Sequence, residues 1–150
     1  MGWAATYGQS TLRDMKVRMD NGNILIYSAD SLRLCRVELV AYGNCTGMFV
    51  QPLSTGEHYF EMYDCNLREE LSEKLNLGIY VETCASYDPA STSVRVEIHD
   101  SLITGWDWGM HWLDSGCNIS GYYGCENFSG NTTYNVMYSN YQGDYIELCP

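Results

Sequence analysis

The strongest constraint on this chain is its division into short apolar runs that alternate with polar residues and end at turn formers. Residues 93–99 show it most clearly. Val94, Val96 and Ile98 fall on one side of an extended backbone, and Arg95, Glu97 and His99 on the other. Similar runs occupy residues 34–41, 48–50, 58–63, 78–84, 134–138 and 145–148. Residues 15–19 and 24–27 flank Asp20-Asn21-Gly22-Asn23, and Asn-Gly suits a tight hairpin turn because both central residues take positive φ. These two runs are therefore expected to pair as a hairpin. One segment reads differently. In residues 66–76, Leu67, Leu71 and Leu75 recur at helical spacing, Asn66 offers a cap, and Glu70 precedes Lys74 by four residues.

Strands joined by short loops, with one short helix at 66–76, predict a mainly β (or α+β) fold. The expected form is an antiparallel β-sandwich or partly open barrel. A parallel sheet would call for crossover helices that the sequence does not supply. At 150 residues, with no linker and no evident internal repeat, the chain reads as a single domain over 1–150.

Charge narrows the function. Nineteen acidic residues face eight basic ones, giving a net charge of −11. Phosphate backbones and anionic lipids are bound by clustered Lys and Arg, so direct nucleic-acid binding and electrostatic membrane binding are excluded. An apolar content of 45% excludes intrinsic disorder. The charge is also uneven. Residues 1–36 hold five cations against three acids, whereas no Lys or Arg follows Arg95 and seven acids do.

Motifs for chemistry are absent. There is no Walker loop, dinucleotide fingerprint or nucleophile elbow. The three histidines and seven cysteines show no zinc spacing, so no catalytic residue, metal or cofactor is assigned. The distinctive feature is aromatic: Trp106, Trp108 and Trp112 lie within seven residues, flanked by Gly105 and Gly109. Combined with the acidic C-terminal third, this suggests a surface that docks a basic partner by carboxylates and aromatic anchors. The candidate partner-binding residues are Trp106, Asp107, Trp108, Asp114, Tyr123, Glu126 and Asp144.

The expected function is that of a small acidic inhibitor occluding the basic nucleic-acid channel of a nuclease or related effector. In size and charge the chain resembles phage-encoded anti-defence inhibitors of the anti-CRISPR kind and immunity proteins against nuclease toxins. That likeness is compositional and transfers no residue roles. Read from Met1, no secretion signal is visible, so a cytoplasmic location in the host cell is expected. The alternative is an extracellular or virion-surface β-sandwich that contains disulfides and binds glycan. It draws on the seven cysteines and on four sequons, at Asn44, Asn118, Asn127 and Asn131.

Overall fold

The computed structural model describes every residue except 1–3, 7, 21–23, 72–75, 83–87, 115, 141–144 and 150. Its strands are β1 (Ala4–Thr6), β2 (Ser10–Asp20), β3 (Ile24–Ser28), β4 (Leu32–Tyr42), β5 (Thr46–Val50), β6 (Gly56–Tyr63), β7 (Asn66–Glu69), β8 (Leu77–Glu82), β9 (Thr92–His99), β10 (Leu102–Thr104), β11 (Trp108–Asp114), β12 (Asn118–Tyr122), β13 (Tyr134–Asn140) and β14 (Tyr145–Cys149). Short 3₁₀ turns at Pro89–Ser91 and Cys125–Phe128 are the only helical segments among the described residues.

The mainly-β expectation holds, but the antiparallel sandwich does not. The strands form two sheets, ordered β1-β3-β5-β8-β11-β13-β14 and β10-β7-β4-β6-β9-β12, with β2 also on β4. Among the described residues every pairing is parallel except β13 with β14. The chain is a solenoid: it visits one sheet, crosses to the other, and returns one rung further on. Ser10 lies opposite Leu32 and Gly56 opposite Thr92, so one circuit takes between 22 and 36 residues. No crossover helix is needed, because the strands of one sheet are the crossovers of the other. Alternation along a strand reports its buried face and carries no sign of its neighbour's direction, so the sequence pattern fits both arrangements.

The predicted hairpin is corrected in the same way. Both of its strands exist, as β2 and β3, but β2 pairs with β4 in one sheet and β3 with β1 and β5 in the other. Its turn at 21–23 lies outside the described residues. The predicted helix at 66–76 is replaced at its start by β7, which lies parallel between β4 and β10. Leu67 is fully buried and Leu71 is 56% exposed, so these two leucines do not share a face, and Leu75 lies outside the described residues. Glu70 bonds Arg68 at 2.7 Å, a pairing of strand spacing. Three leucines at i, i+4 spacing stabilise a helix weakly, and the ladder bonds to two neighbouring strands outweigh them.

Both sheets turn their apolar residues into one core, including Leu34, Leu39, Met48, Phe60, Met62, Ile79, Val96 and Met110. Three registered pentads build one wall: Thr46-Gly47-Met48-Phe49-Val50, Leu77-Gly78-Ile79-Tyr80-Val81 and Trp108-Gly109-Met110-His111-Trp112. The glycines leave room for the buried indole of Trp106. A β-carbon on Gly47 would lie 3.0 Å from that ring, and one on Gly78 3.1 Å. The Trp106 indole N–H donates to the Leu67 carbonyl at 3.1 Å.

The fourth position of each pentad forms an outer ladder. Tyr27, Phe49, Tyr80 and His111 follow one another at ring separations of 5.3 Å. The Ser139 hydroxyl donates to the Trp112 carbonyl, so it accepts from His111 Nε2–H, 2.7 Å away. Burial holds the His111 pKa below its usual 6.5. The unfolded chain therefore takes up this proton more readily than the folded one. The stability linked to a neutral His111 is complete above about pH 6.5 and declines as pH falls below it. Thermal melts across that range are expected to show a slope that His111→Gln reduces; equal slopes would remove His111 as its source.

Candidate functional site

The site is built at a corner of the solenoid where the backbone turns through positive φ on four successive rungs. Asp14 (51°), Arg36 (53°), Asp64 (52°) and Asp100 (47°) occupy equivalent places in neighbouring coils. Asp tolerates this conformation better than most residues, which accounts for three of the four identities. In the first two rungs the charges cancel, with Arg36 Nε 2.5 Å from Asp14. That guanidinium holds the Asp14 carboxyl below its usual range. The next two rungs bring Asp64 and Asp100 together, one strand spacing of about 4.8 Å apart along the stack.

These two carboxylates line a groove of about 780 Å³ with His99, Tyr122 and Glu126. One wall is the 3₁₀ turn at Cys125–Phe128. Asn127 pins that turn, donating to the Ser101 carbonyl at 2.7 Å and accepting the Gly124 N–H at 2.8 Å. The floor is fixed by Ser101, whose hydroxyl accepts the Cys65 N–H and donates to the His99 carbonyl. An aromatic row runs alongside. Tyr63 stacks on His99 at 4.8 Å and His99 on Tyr122 at 5.0 Å. Tyr122 ends the row on the last strand of its sheet and is 64% exposed.

Among the described residues no Lys or Arg lines the groove. The described ion pairs to lysine and arginine lie along the β2/β4 sheet, its margins and the first two rungs of the corner: Lys16 and Arg68 to Glu38, Arg18 to Asp20, Arg33 to Glu61, Arg36 to Asp14, Arg68 to Glu70, and Arg95 to Glu97. Asp64, Asp100 and Glu126 are the carboxylates of the groove, and Asp64 lies one rung from Arg36, whose guanidinium it attracts.

The seven residues proposed from sequence are dispersed. Glu126 and Tyr123 reach the groove; Tyr123 is half-buried against Phe128 and Trp112, and burial raises its pKa. Trp106 is in the core. Trp108 lies on the opposite sheet, edge-on to Tyr134 and His111, so the three tryptophans do not share a face. Asp107 is held in a corner ladder. Its carboxylate accepts the Asn76 N–H at 3.1 Å and the Thr132 hydroxyl at 2.8 Å, while the Asn76 side chain accepts the Cys45 N–H at 2.9 Å. Asp114 ends β11 opposite Asn140. Asp144 lies outside the described residues.

Sequence reasoning did not single out Asp64, His99, Asp100 or Tyr122. A signal existed: Tyr63-Asp64-Cys65-Asn66-Leu67 and His99-Asp100-Ser101-Leu102-Ile103 repeat an aromatic–Asp–small–polar or apolar–aliphatic pattern.

Cysteine chemistry is limited to one bridge among the described residues, Cys125–Cys149. Cys35 and Cys65 carry free thiols, and burial pushes the Cys65 thiol up. Of the sequon asparagines, Asn44 and Asn118 are exposed, whereas Asn127 and Asn131 hold turns through their side chains. No helix among the described residues is long and apolar enough to cross a membrane. No protein-family model, curated protein or solved structure matches this chain.

Proposed function

We propose that the chain is a binding module for saccharides, with the groove at Asp64, Asp100, Tyr122 and Glu126 as its site. The observation that carries this reading is the exposed Tyr122 ring in one groove with the carboxylates of Asp64, Asp100 and Glu126. A pyranose presents an apolar C–H face, which packs on an aromatic ring, and a rim of hydroxyls, which donate to carboxylates. The disulfide adds support for an oxidising, extracellular setting.

A second reading has its own observation. A groove whose described lining holds three carboxylates and no Lys or Arg also suits a cationic protein segment, such as the nucleic-acid-binding surface of a nuclease. Salt separates the two. We expect calorimetric titration with neutral oligosaccharides to show binding that changes little between low and high salt, and Tyr122→Ala to weaken it by at least about tenfold. A cationic peptide bound at low salt and released at high salt, with no oligosaccharide bound, would favour the second reading. Oligosaccharide binding untouched by Tyr122→Ala would place the site elsewhere.

A further inference from the structure

We propose that copies of this chain associate head to tail, the β2 end of one solenoid seating on the β12 end of the next. This does not rest on the saccharide reading.

The first observation is the strand edges. Among the described residues, β2 pairs only with β4, and β12 only with β9, in the same parallel sheet. Each leaves an edge that a further parallel strand can extend, and the β2 edge of a second copy meets the β12 edge in the direction the sheet already runs.

The second observation is where the core remains incompletely covered. The half-buried apolar side chains packed on the core are Leu12, Met15 and Val17 on β2, with Tyr123 and Tyr138 in the last coils. They mark the two ends of the solenoid. At the β12 end Trp112, Tyr123, Tyr138 and Leu148 line a recess of about 410 Å³, and Leu148 is 42% exposed.

The third observation selects the occupant. The β2 strand carries Arg13, Lys16 and Arg18 against Asp14 and Asp20, with Lys16 paired to Glu38 and Arg18 to Asp20, so it is weakly positive, whereas no Lys or Arg and seven acids follow Arg95 in the coils toward the other end. Like ends repel and unlike ends attract, so a second copy docks head to tail rather than head to head. A heterologous contact of this kind leaves one end of each type free, and assembly continues into longer rows or a ring.

Sedimentation velocity on the chain across a concentration series tests this. Mass is expected to rise with concentration at low salt and to fall back at high salt. Two variants locate the contact: Arg13→Thr/Lys16→Thr/Arg18→Thr at the head, and Ser120→Lys/Leu148→Lys at the tail. Each alone is expected to need at least about tenfold more protein to associate. Mixed at equal concentration, they should form one-to-one complexes and nothing larger, because one productive head meets one productive tail. Far-ultraviolet circular dichroism confirms that each is folded, with Leu148→Ser as the milder tail variant. A parent that stays monomeric throughout, variants that associate like the parent, or folded variants that ignore each other when mixed would each overturn the proposal.

Discussion

Trp106→Ala is expected to destabilise the fold by about 3–5 kcal/mol, a typical cost for truncating a fully buried tryptophan. The indole is 0% exposed and spans the glycine ladder of two coils. Its removal opens a cavity that the neighbours cannot fill, because Gly47 and Gly78 have no side chains to move into it. It also leaves the Leu67 carbonyl without its indole donor. Trp106→Phe keeps most of the volume and loses that bond, so about 1–3 kcal/mol is expected. The converse substitution tests the same contact from the other side. An alanine at Gly78 would place its β-carbon 2.5 Å from the Gly109 carbonyl oxygen and 2.7 Å from Ile103 Cγ2. The oxygen belongs to a strand held on both sides and cannot step away, so overpacking of about 1–3 kcal/mol is expected. Urea unfolding, with the slope checked for each variant, measures all three. A Trp106→Ala protein within about 1 kcal/mol of the parent would show that the indole does not hold the coils together.

The same residues mark what was legible in the sequence. Alternation located β4, β9 and β13 because an extended chain with one buried face has period two whatever its neighbours do. It could not report that Ser93 lies beside Glu57 and Asn118 in parallel register, since that depends on contacts 25 and 36 residues away. The information was present in another form. The Gly-Met-Phe-Val, Gly-Ile-Tyr-Val and Gly-Met-His-Trp segments fall 31 residues apart, but Tyr, Phe and His differ enough as letters to hide a shared role as stacked rings. Asp107 read as surface charge because its corner bonds, to Asn76 and Thr132, join coils that are distant in sequence. Glu126 and Tyr123 were reached by charge and aromaticity alone, whereas Asp64 and Asp100 were passed over because each is one acid among nineteen until the solenoid stacks them.

Loss of the Cys125–Cys149 bridge is the other large expected effect. The bond closes a loop with a sequence separation of 24 residues, for which chain entropy gives about 3 kcal/mol. In a domain of this size that corresponds to a fall in Tm of roughly 6–12 °C on reduction or in Cys149→Ser. The bridge ties the turn that walls the groove to β14, the antiparallel strand that covers β13. Reduction should therefore act first on the last coils. Hydrogen exchange is expected to rise at β12 and β14 before it rises at β4 or β6. Glu126 adjoins the bridged cysteine, so saccharide affinity at the groove should fall severalfold under the same treatment. The bridge leaves at most five free thiols of the seven cysteines. Thiol titration of the denatured, unreduced chain checks that count. Seven thiols, or a Tm indifferent to dithiothreitol, would remove the bridge from the account of both the fold and the groove.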